Sequence, residues 1–195
     1  MKAIGWNCRG KGRSLSNSPK MEYLSNSPKM EYLARLLNST SAQVTFISET
    51  HSSKVTSVQL NSRFSTGDSF VVPSNGRSGG LWLLWSTDVH VVVKFFNQHL
   101  ILAIVVNLAT NLEFVLACVY GDPHHRSTRM IWEHVSTFVY DNLGKPVICL
   151  GDMNNIMCDM DSTSSNVNKC HMRAFNSYVK NCGLFYLGFS GPAYT

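Results

Sequence analysis

Between Ser69 and Tyr120 the chain repeats one pattern, a short apolar or alternating run followed by turn residues. The runs are Ser69 to Val72, Leu81 to Trp85, Val89 to Phe96, Leu100 to Asn107 and Glu113 to Tyr120. Asn75-Gly76, Gly79-Gly80, Asn97-Gln98 and Thr110-Asn111 separate them. β-Branched and aromatic side chains of this density favour strands, and glycine and asparagine supply the backbone that tight turns require. The intervals are too short for crossover helices, so the spacing predicts an antiparallel meander. A chain with that middle has to bury a sheet face.

Helix and strand signals alternate on both sides of the meander. A first strand runs from Lys2 to Asn7, and Val44 to Glu49 reads as the next. Between them Ser27 is placed to cap a helix, Pro28 suits its first position, and Met30, Leu33, Ala34 and Leu37 keep helical spacing. A further helix is expected over Lys54 to Leu60. After Tyr120 a helix is expected from Thr128 to Leu143, closed by Gly144. Pro146 then introduces Val147-Ile148-Cys149-Leu150, a run whose composition suits a strand buried on both faces. A last helix is expected over Met172 to Cys182. The order predicts an α/β chain in which two packed sheets carry helices on the outside.

One feature stands outside this order. Leu15 to Tyr23 is repeated without change as Leu24 to Tyr32. Two copies do not make a repeat architecture, which needs several stacked units. The pair reads as a tandem duplication inside a single domain spanning residues 1–195, with one copy surplus.

Composition narrows the class. With 195 residues, 44% hydrophobic and 15% charged, the chain has the content of a globular domain and not of a disordered one. No apolar stretch approaches the length of a membrane span, and the N-terminus lacks the apolar core of a signal peptide. Cys8, Cys118, Cys149, Cys158, Cys170 and Cys182 contain no C-x-x-C pair. They read as free thiols of an intracellular protein, nuclear or cytoplasmic. Nothing points to an obligate protein partner. The net charge of +5 suits a polyanionic partner, modestly.

Five polar side chains close apolar runs: Asn7, Glu49, Tyr120, Asp152 and Asn154. Each can meet a hard cation or a phosphate oxygen, and a strand end holds such groups rigidly while leaving them open to a ligand. Taken singly each has a plainer reading. Asp152-Met153-Asn154 can be an Asx turn, Asn7 and Glu49 caps, and Tyr120 a core residue with its hydroxyl at the rim. In a two-residue period, Asp152 and Asn154 leave their strand on the same side.

The wording around these residues carries a resemblance. Trp6-Asn7-Cys8-Arg9-Gly10, Ser48-Glu49-Thr50, Val119-Tyr120-Gly121-Asp122-Pro123, Leu150-Gly151-Asp152-Met153-Asn154 and the stretch from Cys182 to Thr195 occur in that order. Together they resemble the endonuclease/exonuclease/phosphatase superfamily, the group of deoxyribonuclease I and the apurinic endonucleases. The wording is most similar to the endonuclease domain of plant LINE-type retrotransposon polyproteins. The resemblance implies a deoxyribonuclease I-like sandwich and hydrolysis of DNA phosphodiesters with Mg2+ or Mn2+. It implies that Glu49 binds the metal with Asn7 beside it. It implies that Tyr120 hydrogen-bonds the scissile phosphate, that Asp152 orients or deprotonates the attacking water, and that Asn154 holds a phosphate oxygen. Arg77, His124, His125, Arg126 and Arg129 lie in loops that could line a nucleic-acid groove, or could equally be solvated.

There is one departure. The family closes its site with a later aspartate and an Asp-His pair at a strand end, and residues 1–195 contain no Asp-His pair. The expectation is a sandwich whose last strands are missing and whose activity is impaired. A non-catalytic remnant with weak metal or nucleic-acid binding is the alternative.

Overall fold

The computed structural model describes residues 1–8, 28–76, 79–161 and 168–188. Strand β1 spans Ala3–Asn7, helix α1 Pro28–Thr40 and strand β2 Val44–Ser48. Helix α2 covers Ser57–Phe64, followed by strands β3 at Asp68–Val72 and β4 at Leu81–Trp85. Strands β5 (Val89–Phe96), β6 (Leu100–Asn107) and β7 (Leu112–Tyr120) come next. Helix α3 (Thr128–Tyr140), strand β8 (Val147–Asp152) and helix α4 (Lys169–Asn181) complete the described order. Most of the duplicated segment, Leu15 to Ser27, lies outside the described residues, and Pro28 opens α1 as its sequence position suggests.

The strands form two four-stranded sheets, ordered β1-β2-β4-β3 and β5-β6-β7-β8. Both are mixed. β1 runs parallel to β2 and β7 parallel to β8, while the hairpin neighbours are antiparallel. The expected α/β sandwich with outer helices is therefore the observed one. The meander, however, is not continuous. β4 and β5 lie in different sheets, and the chain crosses from one to the other at Ser86 to Asp88. A sharp turn between two apolar runs looks the same whether it joins neighbours in one sheet or crosses a sandwich.

Three apolar layers hold the elements. Between the sheets, Val44, Phe46 and Leu83 meet Ile101, Val105, Leu116 and Cys118. α1 and α2 cover the outside of the first sheet with Leu33, Leu37, Leu60 and Phe64 against Ile47, Trp82 and Leu84. α3 and α4 cover the second with Ile131, Trp132, Val135, Phe175 and Val179 against Leu102, Ala117 and Val119. Each fully buried leucine or phenylalanine contributes about 1.5–3 kcal/mol.

Two helix starts differ from expectation because capping residues set them, and α3 ends at Tyr140 with Asp141 as its C-cap, not at Leu143 before Gly144. α2 begins at Ser57, not Lys54, because Thr56 and Gln59 form a reciprocal capping box. α4 begins at Lys169, not Met172, because the Asn168 side chain accepts from the backbone N–H groups of Cys170 and His171. β8 also departs from expectation. Among the described residues it pairs with β7 alone and stands at a sheet edge, so Val147 to Leu150 are only half-buried. Its apolar pattern still has a use on both faces: Ile148 and Leu150 pack into the inter-sheet layer, and Cys149 faces the α3–α4 layer. No helix among the described residues is long and apolar enough to cross a membrane.

Candidate active site

Parallel pairing brings the strand ends together. Asn7 sits opposite Ser48 in the β1–β2 register, which places Glu49 one residue further along the same end. Tyr120 sits opposite Asp152 in the β7–β8 register. The two sheets meet where β1 passes β8, and glycines allow that approach. A Cβ placed on Gly5 would lie 3.3 Å from the Gly151 nitrogen. A Cβ on Gly151, at φ +132°, would run into the Val119 carbonyl oxygen and lie 2.9 Å from Phe46 Cε1.

Two hydrogen bonds then cross the sandwich in opposite senses. Asn7 Nδ2, on the first sheet, donates to Asp152 Oδ2 at 2.7 Å. The Tyr120 hydroxyl, on the second, donates to Glu49 Oε1 at 2.9 Å. Asn154 completes the group in an unexpected way. β8 ends at Asp152 and Asn154 adopts a left-handed φ of +47°, so no strand period relates the two side chains. Instead the Asn154 backbone N–H donates to Asp152 Oδ1 at 3.0 Å, and Asn154 Nδ2 donates to the Gly121 carbonyl at 2.6 Å. The Asx turn and the clustered polar site are thus the same structure.

Glu49 is also left-handed, at φ +55°, and His51 follows at +50°. Such residues cost roughly 1–3 kcal/mol each and need surrounding structure to hold them. Here Thr50 and His51 donate their N–H groups to the carbonyls of Gly80 and Gly79, at 3.2 and 3.0 Å. The kink turns the Glu49 side chain to the phenol. Strain therefore falls at Glu49 and Asn154, on opposite sides of the crossed pair.

Burial pushes the Tyr120 phenol well above its ordinary value, and the hydrogen bond to Glu49 and the charges of Glu49, Asp152 and Asp122 push in the same direction. Tyr120 is a neutral donor throughout the physiological range. Asp122 behaves oppositely. Burial raises its pKa, but hydrogen bonds from the N–H groups of His124 and Ser127, with the nearby His99, outweigh that and leave it below the usual carboxylate range. Its oxygens accept from those two N–H groups at 2.8 Å each, pinning the loop that leaves β7.

None of Glu49, Asp122 and Asp152 forms an ion pair among the described residues. Glu49 and Asp152 are hard oxygen donors, the kind a hard divalent cation takes. Magnesium commonly takes only one or two protein carboxylates, its other positions going to water and phosphate. Among the described residues no group of three or more His, Cys, Asp or Glu side chains is placed to hold a metal ion. Of the residues gathered here, Glu49 would supply the carboxylate to such an ion, with Asn7 and Asp152 beside it. Cys158 and Cys170 are exposed free thiols, and Cys182 is buried.

The loop residues are placed less uniformly. His124 and Arg126 are exposed on the loop that starts at Tyr120. His125, half-buried and left-handed at φ +58°, packs its ring 4.6 Å from that of His171. Arg129 Nε lies 2.7 Å from Glu133 Oε1 on the exposed face of α3. Arg77 lies outside the described residues. Sequence reasoning singled out neither Asp122 nor His99 as part of this corner. Asp122 had a signal, since Asp-Pro after glycine favours a side-chain-closed turn. His99 had none.

Several solved structures share this fold. The endonuclease domain of TRAS1, a telomere-specific non-LTR retrotransposon, superposes with a TM-score of 0.59 at 14% identity, over 83% of this chain and 68% of that one. An AP endonuclease from Archaeoglobus fulgidus gives 0.60 at 12% identity, over 91% and 69%. Truncated Caenorhabditis elegans TDP2 gives 0.52 at 15%, over 84% and 65%. The chain thus spans about two thirds of these proteins, and 50% of a longer TDP2 chain. Identities this low establish the fold alone. No curated protein matches significantly. The family model for endonucleases, exonucleases and phosphatases matches residues 4–195, a span that takes in the crossed hydrogen bonds and both strained carriers. The chain belongs to the endonuclease/exonuclease/phosphatase family.

Proposed function

We propose that this chain is a divalent-metal-dependent phosphodiesterase of the retrotransposon endonuclease type, acting on DNA with Mg2+ or Mn2+. The observation that carries the reading is the crossed pair: Asn7 to Asp152 and Tyr120 to Glu49, four side chains from four strand ends joined across the sandwich. A structural cap would need one of these bonds and not both.

Each residue has a role that its geometry supports. Asp152, held by Asn7 Nδ2 and by the Asn154 N–H, keeps a fixed carboxylate to take the proton of an attacking water. The water oxygen forms the new bond to phosphorus while the bond to the leaving sugar oxygen breaks. With substrate bound, the neutral Tyr120 hydroxyl would pass its proton's hydrogen bond from Glu49, as that carboxylate turns to the metal, to a non-bridging phosphate oxygen. The second N–H of the Asn154 amide would hold another as charge builds. Glu49 would hold the metal, which would neutralise phosphate charge. His125 and Arg126 would meet phosphates further along the strand, without reading sequence.

A plant LINE origin rests on motif wording. The alternative is a non-catalytic domain of the same fold with weak metal or nucleic-acid binding. Metal binding tests the shared part of both readings. Isothermal titration with Mg2+ or Mn2+ is expected to show weak binding by wild type and a loss of roughly tenfold or more in Glu49→Gln, the range typical for perturbed metal ligand shells. Equal affinities would remove Glu49 from the site.

A further inference from the structure

His99 closes the turn between β5 and β6, and this turn gives it little freedom. Asn97 Oδ1 accepts from the His99 N–H at 2.7 Å and from the Leu100 N–H at 2.9 Å. The Asn97 N–H in turn donates to the Leu100 carbonyl at 2.9 Å. The backbone of His99 is therefore set before its side chain is considered.

That backbone and side chain both engage Tyr120. The Tyr120 N–H donates to the His99 carbonyl at 2.8 Å. His99 Nδ1 lies 3.1 Å from the Tyr120 carbonyl oxygen. A carbonyl can only accept, so Nδ1 carries the proton and donates. The two rings lie nearly parallel, at 18° with centroids 6.3 Å apart. Completing a strand ladder requires the backbone bond alone. The imidazole adds a donor to the Tyr120 carbonyl and a plane alongside its phenol.

Tyr120 has to reach across the sandwich to Glu49, and the chain turns immediately after it through Gly121 to Asp122. A phenol has a free χ1 and χ2 unless packing fixes them. We propose that His99 is a positioning residue for Tyr120, its imidazole holding the phenol ring and the carbonyl behind it so that the hydroxyl stays aimed at Glu49. The proposal rests on the assignment of Tyr120 to the reaction, and goes beyond it by naming what aims the hydroxyl. Among the described residues the hydrogen bonds and ring contact of His99 go to Asn97 and Tyr120.

The test uses His99→Ala, His99→Phe, Tyr120→Phe and the His99→Ala/Tyr120→Phe double variant in the full chain. In DNA cleavage, His99→Ala is expected to lower kcat about tenfold, a modest instance of misplacing a reacting group. KM should stay within roughly twofold, because the loss falls on the transition state. In the Tyr120→Phe background the same change should add little, the non-additivity expected of residues that act as a unit. His99→Phe, which keeps the ring and loses the donor, should recover part of the rate. Equal losses in both backgrounds, or a change confined to KM, would overturn the proposal.

A second readout does not depend on cleavage. The Tyr120 hydroxyl proton, assigned in NMR spectra by its disappearance in Tyr120→Phe, should exchange slowly in wild type and at least about tenfold faster in His99→Ala, as local opening becomes easier. Unchanged exchange in folded His99→Ala overturns the proposal even if no nuclease activity is found. Absent cleavage in wild type with altered exchange in the variant would sink the functional reading and leave the positioning role standing.

Discussion

Asp152→Asn is expected to lower the rate of Mg2+-dependent DNA cleavage by about 10²–10⁴, the usual range for removing a general acid or base. Structure should change little. Asp152 accepts one hydrogen bond on each oxygen, from Asn7 and from the Asn154 backbone. An asparagine keeps one acceptor. It sets an N–H against the other donor, so one hydrogen bond is exchanged. The net stability change is about 1 kcal/mol, that of a single exchanged hydrogen bond. A large rate loss with a nearly unchanged melting temperature separates chemistry from folding. Cleavage by Asp152→Asn at the wild-type rate would take Asp152 out of the proton path.

Gly151→Ala should do the reverse and act first on the fold. Its φ of +132° lies in a region that L residues rarely adopt, and the added Cβ meets β7 backbone at the Val119 carbonyl. Backbone cannot move aside as a flexible side-chain tip can. Strain and overpacking together should cost about 3 kcal/mol or more. For a chain of this size that lowers the melting temperature by roughly 6–12 °C. Gly5→Ala is the matched comparison, since its Cβ would approach Gly151 only to 3.3 Å and a shift of a few tenths of an ångström relieves it. Gly5→Ala should therefore be much milder in thermal denaturation. If the two substitutions are equally tolerated, close approach of β1 and β8 does not depend on these glycines, and the account of how Asn7 reaches Asp152 is wrong.

These two glycines mark where sequence reading runs out. The strands from Asp68 to Tyr120 were legible because turn residues punctuate β-branched runs, and the expected and observed boundaries nearly coincide. Which runs share a sheet was not legible. The step from Trp85 to Val89 carries no mark that distinguishes a hairpin from a crossing. β8 differs from its expected burial for a related reason: an apolar run reports contact on both faces, but an open edge leaves no trace in it. The polar side chains at strand ends were legible as a set. Their geometry was not, because the left-handed turn at Glu49 is imposed by Gly79 and Gly80 from another segment, and glutamate gives no local sign of it. His99 shows the same limit. A single histidine after Asn-Gln reads as turn chemistry until Tyr120 is seen beside it.

The central claim is that the crossed pair is a phosphodiester-cleaving site. The most direct measurement is the single-turnover cleavage of a defined DNA duplex by residues 1–195, followed over long incubation in Mg2+ and in EDTA, with Asp152→Asn alongside. The account predicts slow cleavage in Mg2+ that is absent in EDTA and falls to background in Asp152→Asn. Cleavage that is equal in wild type and Asp152→Asn, or no cleavage by either, would contradict it.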